Sequence, residues 1–314
     1  MASRTDTVSP RQTAEANTNL TVNTANAGYS VVTFAYNEAD TIAATLDSII
    51  TNSDDRLAAL TVVANGCTDA TVDRARAALA KHTGINATVI ELALGDKCNA
   101  WNTYIYQYVP EAAVHFFVDS DVTFTENAFP ALFEALLAVP SKNAVTGLPQ
   151  SGRNKDHYVE LATKYSCLFG NLYGLTHEFL TRLVDQNIRL PIGLNWIDAQ
   201  ITKLVNDNLE YHKDDYQPRV TFVESVGYTF PSLKPWVKAD RALYVSRICR
   251  YKAGQLQEPY LDGLPFVDWP ETMNEINRQI LKNGVSRKDL GKLVLLRNKV
   301  VNRLMKQHPQ GGAS

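Results

Sequence analysis

From Tyr29 onward the chain alternates short β-rich runs with longer helical ones, and this restricts it to few architectures. Tyr29–Phe34 (YSVVTF), Leu60–Ala64, Ala87–Leu92, Val114–Val118 and Ala144–Leu148 read as strands. Between them, Ala39–Thr51, Ala70–His82, Lys97–Tyr108 and Ala128–Ala138 read as helices; in the first, Ile42, Leu46, Ile49 and Ile50 share one face. Regular alternation of this kind implies an α/β fold, a Rossmann-like, mostly parallel twisted sheet flanked by helices. Such sheets bind ligands beyond the carboxyl ends of their strands. Tyr36, Asn65 and Asp119 each fall at such an end, so residues far apart in sequence converge on one edge.

The second half is less regular. Leu161–Arg182 reads as aromatic and helical, Asn195–Asn206 as a shorter helix, Arg219–Val226 as a strand and Asp240–Ala253 as a basic helix. A Pro/Gly/aromatic linker (EPYLDGLPFVDWP) follows Gln257, then helices over Glu271–Lys282 and Ser286–Lys306. Ser286 and Asp289 stand at capping-box spacing. The expected organisation is a disordered polar tail over 1–28, a main domain over 29–257, and a linker with a two-helix extension over 258–314.

With 31 basic and 33 acidic residues the net charge is −2, so no global field favours nucleic acid. Cys67, Cys98, Cys167 and Cys249 are widely spaced and form no metal-binding pattern, which reads as reduced thiols in the cytoplasm. The polar tail lacks the apolar stretch of a signal peptide, and no apolar run is long enough to span a membrane.

Asp119-Ser120-Asp121 places two carboxylates at a strand end. They are hard oxygen ligands suited to Mg²⁺ or Mn²⁺, which would in turn hold a diphosphate. Tyr36 can stack on a base and Glu38 can reach ribose hydroxyls; the plainer reading is a capped strand-to-helix turn. The Asn65 amide can read a base edge or cap a turn. Lys97, after Gly95-Asp96, can neutralise phosphate or simply open a solvated helix.

Together, VVTFAYNEADTIAATLDSI, VVANGCTDAT, GDKCNAWN and FFVDSDV resemble, in order and spacing, the nucleotide-sugar half of the family-2 glycosyltransferases of GT-A fold. The resemblance spans 29–125 and makes 126–257 the acceptor half. Leu194–Asp198 is similar to that family's acidic pair before a helix, whose second acid is the catalytic base; Ile197 replaces the first acid, so Asp198 alone carries over. Arg247–Tyr251 is similar to the QxxRW element, with Arg247 for Gln and Tyr251 for Trp.

The resemblance implies an inverting transfer of a sugar from a nucleotide-sugar, UDP-linked by preference, to a hydroxyl acceptor: a sugar, a lipid-linked sugar or another alcohol. Asp198 is the implied base, and Asp121 with Asp119 the implied holder of a divalent metal. Phe34, Tyr36, Glu38, Asn65, Lys97, Asp119, Ser120, Arg247 and Arg250 would contact the donor. Trp196 and Tyr251 would line the acceptor side. The altered QxxRW and the lack of membrane spans argue against a processive polymer synthase.

Phe34 stands where the family usually has Pro, and Asn65 where it often has Asp. With Ile197, these departures suit a second reading, a degenerate GT-A scaffold or sugar-binding module; the retained DSD and Asp198 oppose it. A sugar-1-phosphate nucleotidyltransferase would need a Gly-rich, Arg-bearing loop where FAYNEAD stands.

Residues 258–314 lie outside the resemblance. Ser286–Lys306 carries Arg287, Lys288, Lys292, Arg297, Lys299, Arg303 and Lys306 against one acid, Asp289, with Leu290, Val294, Val301 and Met305 as an apolar stripe. It suits either peripheral contact with anionic lipid on the inner membrane face or a helix docked on the sheet with a solvated basic face.

Overall fold

The computed structural model describes residues 28–152, 155–211, 217–230, 234 and 236–309; the expected polar tail, Gly28 apart, and residues 310–314 lie outside them. Successive residues of β1 (Tyr29–Ala35) enter opposite cores: Val31 and Ala35 pack on one face, Val32 and Phe34 on the other. Because both faces are covered, no polar alternation is imposed, and the strands read as apolar runs. β1 pairs in parallel with β2 (Leu57–Asn65) and β4 (Val114–Asp119), and β2 with β3 (Ala87–Leu92). The intervening helices are α1 (Ile42–Thr51), α2 (Thr71–Leu79) and α3 (Lys97–Thr103), the last continued by a π-helical turn over Tyr104–Tyr108.

Beyond β4 come β5 (Thr123–Phe124), α4 (Ala128–Leu137), β6 (Ala144–Pro149), α5 (Lys155–Tyr165), β7 (Leu172–Thr176), α6 (His177–Asp185), α7 (Ile197–Asn206) and β8 (Val220–Thr229). The sheet has eight strands in the order β3-β2-β1-β4-β7-β6-β8-β5. Four of its seven pairings are parallel; the three antiparallel ones all involve β5 or β7. The expected α/β sheet with helices on both faces is what forms.

Leu161–Arg182 is not one helix. Ser166 takes left-handed backbone, φ 50°, and closes α5. Leu172–Thr176 then enters the sheet between β4 and β6, antiparallel to both. A five-residue apolar run is too short for its periodicity to separate strand from helix, and the gap between two strands decides it.

The C-terminal helices are α8 (Lys238–Leu261), α9 (Asn274–Asn283), α10 (Arg287–Leu290) and α11 (Arg297–Leu304). Gln257, the expected end of the main domain, lies fully buried inside α8. Its amide donates to the Gly193 carbonyl and to Asn277 Oδ1, and accepts from the Asn195 amide. Leu194 and Ile201 share one core with Phe266, Met273, Ile276, Val300 and Leu304. The extension thus packs as part of the main body.

The expected helix over Ser286–Lys306 is broken. Its capping box forms as read, but Gly291, at φ 53° and ψ −122°, stops α10 after one turn. A 3₁₀ segment over Gly291–Leu296 then leads into α11. Leu290, Val300 and Leu304 turn into the core, whereas Met305 is exposed, so the single apolar stripe does not survive. α11 packs on α8 and α9 rather than on the sheet, and its Arg303 donates to Asn195 and Ser246. Among the described residues no helix is long and apolar enough to cross a membrane, and all four cysteines are free.

Candidate active site

The loops at the carboxyl ends of β1 and β2 are pinned to each other. Asn37 Oδ1 accepts from the Thr68 amide, and Asp69 Oδ2 from the Ala39 amide. The Thr71 hydroxyl accepts from the Glu38 amide at 2.8 Å and donates to Asp69. Tyr36, held on this loop, is 56% exposed, its ring edge against Gly95. Glu38 is half-buried; burial raises its pKa, and the charges of Asp121 and Asp119 add to the rise.

Asp119 is the last residue of β4, and Ser120 is buried behind it. The Ser120 hydroxyl donates to the Phe34 carbonyl, while the Thr45 hydroxyl lies 2.9 Å from the carbonyl oxygens of both Ser120 and Val122. These contacts fix the turn from which Asp119 and Asp121 project. Lys97 Nζ donates to Asp119 Oδ1 at 2.5 Å, and Asn171 Nδ2 to Oδ2 at 3.3 Å. Arg247 Nη2 donates to Asp121 Oδ2 at 3.2 Å. Burial, and then the nearby Asp119 charge, raise the Asp121 pKa.

Asp198 stands in the first turn of α7, nearly eighty positions after Asp119, yet both carboxylates act on the Lys97 charge. Burial pulls the Lys97 ammonium down, but Asp119 and Asp198 outweigh it, and its pKa is raised. The Asp198 carboxyl is pushed up by burial, opposed by Lys97 and helped by Asp119. A Cβ at Gly170 would lie 2.6 Å from Asp198 Oδ1, so only glycine leaves that space free.

Arg247, Arg250, Tyr251 and Gly254 follow helical i, i+3, i+4, i+7 spacing and share one face of α8. Gly254 lets the helix rest on Trp196, where a Cβ would come within 2.3 Å of the Trp196 Cβ. The Trp196 and Tyr251 rings meet edge to face, with centroids 6.1 Å apart. Arg250 is felt by Tyr251, Asp198 and Asp119, which raise its pKa against the pull of desolvation. Asp119, Asp121 and Asp198 are therefore interleaved with Lys97, Arg247 and Arg250.

Two further expected donor contacts, Phe34 and Asn65, are buried in the frame of the site. The Phe34 ring is buried against Phe117, with centroids 6.4 Å apart. Asn65 is also buried, and its Oδ1 accepts from the Asp96 amide, tying β2 to the start of α3. Sequence reasoning missed Gly170, Asn171 and Tyr158, because nothing near them in sequence marks them; Tyr158 feels the charges of Tyr251, Asp198 and Arg247.

Among the described residues no group of three or more His, Cys, Asp or Glu side chains forms a metal cage. Asp119 and Asp121 offer hard carboxylate oxygens at one strand end, three of which bond Lys97, Asn171 and Arg247. Such a set fits a Mg²⁺-like cation whose remaining ligands are substrate phosphates and water.

The sequence model for glycosyl transferase family 2 matches residues 30–197. The chain belongs to that family. It is a glycosyltransferase, and its site lies where an open α/β sheet binds ligands. Among solved structures it resembles a mannosyltransferase from Pyrobaculum calidifontis in complex with GDP-Man and Mn²⁺, with TM-score 0.55 and 18% identity over 88% of this chain and 73% of that one. That likeness is one of fold. Glucosyl-3-phosphoglycerate synthase from M. tuberculosis also matches, with TM-score 0.49 and 19% identity over 73% of this chain and 81% of that one. No curated protein matches this glycosyltransferase.

Proposed function

We propose that this glycosyltransferase moves a sugar from a nucleotide-sugar, UDP-linked by preference, to a hydroxyl acceptor with inversion at the anomeric carbon. The observation that supports the reading is the Lys97–Asp119 ion pair, on which the charge of Asp198 also acts. It ties the carboxylate pair at the end of β4 to a lone acid on the acceptor side.

Tyr36 stacks on the base and Glu38 meets the ribose, beside the loop that Asn65 braces. Asp121 and Asp119 would hold a divalent cation, Mg²⁺ or Mn²⁺, which would supply Lewis acidity toward the diphosphate. Arg247 and Arg250 add positive charge on the same side. Asp198 takes the acceptor proton as the acceptor oxygen bonds to the anomeric carbon and the bond to the diphosphate breaks. Lys97 opposes the rise that desolvation imposes on the Asp198 pKa. Trp196 and Tyr251 form the acceptor wall, which suits a sugar or lipid-linked sugar.

The test is a hydrolysis and transfer screen of UDP-, GDP- and dTDP-sugars with Mn²⁺ or Mg²⁺. Turnover that is lost in Asp121→Asn, with metal-dependent nucleotide binding lost alongside, supports the reading. Metal-dependent nucleotide binding with no turnover on any donor would point instead to a sugar-binding scaffold.

A further inference from the structure

Large apolar side chains that face solvent gather at one place on this molecule. Among the described residues Trp236 is 76% exposed and Tyr244 59%, and Val237, Leu243 and Tyr251 are exposed with them. All five fall within residues 236–251, the approach to α8 and its first half. Single exposed apolar residues are ordinary on a protein surface, but a cluster of them marks a binding face.

The charges around this cluster are nearly all of one sign. Lys234, Lys238, Arg241, Arg247, Arg250 and Lys252 stand against a single acid, Asp240, whose carboxylate accepts from the Lys234 amide. α11 packs alongside and adds to the charge. Its Arg303 donates to Ser246 of α8 at 3.1 Å, Lys299 and Lys306 are exposed, and no acid lies between Asp289 and the end of α11.

Arg247 fixes where the face points. Its guanidinium reaches Asp121 at 3.2 Å, so that side of α8 looks onto the candidate active site. Tyr244 and Tyr251 stand three residues before it and four after it, on the same side of the helix. Tyr244 therefore continues the acceptor wall outward by about 10 Å, seven residues at about 1.5 Å each. The composition selects the occupant. Protein interfaces are depleted in Lys, and aliphatic Val237 and Leu243 offer no stacking face to a nucleic-acid base. A bilayer surface suits every component: Trp and Tyr settle at headgroup level, Leu and Val enter the acyl boundary, and Lys and Arg meet lipid phosphates.

We propose that Trp236 and the first half of α8 dock on an anionic lipid bilayer. The docking face lies on α8, with α11 supplying charge beside it, and not on the 286–306 segment that the sequence singled out. Docked in this way, the acceptor side of the site opens at the lipid surface, where a lipid-linked acceptor presents its sugar. That consequence rests on the acceptor reading above; the docking itself does not.

The experiment is flotation of the full chain with vesicles of phosphatidylcholine alone and of phosphatidylcholine containing phosphatidylglycerol. Wild type should float with the anionic vesicles, at least about tenfold less with the neutral ones, and be released by high salt. The triple variant Trp236→Ser, Leu243→Ser, Tyr244→Ser should lose at least about tenfold in anionic partition, as should Lys234→Glu with Lys238→Glu. Melting temperature and nucleotide affinity with Mn²⁺ should stay unchanged in both, because the substituted side chains are exposed. Leu295→Ser, which removes an equally exposed apolar side chain from the 286–306 segment, should float like wild type. Flotation that survives in the triple variant, or is lost in Leu295→Ser, would overturn the proposal. So would wild type that floats with neither vesicle, whether it pairs with a second copy through this face or binds polyuridylate instead. Wild type that floats as expected but binds no nucleotide would count against the donor reading and leave the docking standing.

Discussion

The Asp198 carboxylate occupies the space where a Gly170 side chain would stand, its Oδ1 2.6 Å from that Cβ position. Gly170 thus seats the proposed base by leaving room for it. Gly170→Ala puts a methyl 2.6 Å from Oδ1, and the flexible carboxylate is the group that must move. Transfer should fall by about 10- to 100-fold, the scale of an ångström-sized misplacement. Nucleotide affinity with Mn²⁺ and melting temperature should change little. A variant with wild-type transfer rate would show that Asp198 needs no such seat.

Asp198→Asn separates chemistry from stability. Transfer should drop by about 10²–10⁴, because no other group removes the hydroxyl proton. Stability should run the other way. The folded-state pKa of Asp198 is raised, so folding stability falls as pH rises from the ordinary carboxylate range through that folded value. Above that window the neutral amide costs nothing by this route, and the variant should melt no lower than wild type at neutral pH. The acid limb of the wild-type rate profile should likewise sit above the ordinary aspartate range. A variant that melts lower and still transfers would make Asp198 a helix-start residue only.

The first half of the chain was readable because each strand is short, apolar and followed by a helix with clear periodicity. Asp119, Asp121, Tyr36 and Glu38 were legible for the same reason, since a strand end fixes where they emerge. Asp198 and Arg247 needed the family resemblance, because their meeting with β4 depends on how α7 and α8 pack. Phe34 and Asn65 were read as donor contacts, yet burial beside Phe117 and the Asp96 amide gives their side chains to the frame. Tyr228 carried no sequence signal at all. Its hydroxyl is one of five buried side-chain polar atoms without a hydrogen-bond partner among the described residues, a property that exists only in three dimensions.

Tyr36→Ala tests the base site. The ring is 56% exposed and rests on Gly95, so little core is lost with it. Nucleotide and nucleoside binding should both weaken by about 1–3 kcal/mol, the scale of other base–aromatic stacks. Melting temperature should hardly move. A large loss of melting temperature with unchanged affinity would make Tyr36 a packing residue.

The last prediction concerns a contact made by the extension. His308 is buried against Gly193, its Nδ1 3.8 Å from Asp96 Oδ2. Asp96 caps α3 through the Cys98 and Asn99 amides and also accepts from the Gly193 amide. The chain end therefore braces both the start of α3, where Lys97 stands, and the loop that leads to Trp196 and Asp198. Deleting 286–314 would strip Leu290, Val300 and Leu304 from the core, so a point substitution is the sharper probe. His308→Ala should cost about 1–3 kcal/mol, as a buried side chain against tight backbone is lost. Transfer should fall with it, because Lys97 and the 193–196 loop lose their brace. Burial lowers the His308 pKa, outweighing the attraction of Asp96, so the folded state prefers the neutral ring. Stability from this residue is present above the ordinary histidine range and is lost as pH falls through that range toward the depressed value. Wild type should therefore lose more melting temperature than His308→Ala on mild acidification. Equal melting and equal transfer in the two proteins, at both pH values, would show that the chain end only covers the loop and does not hold it.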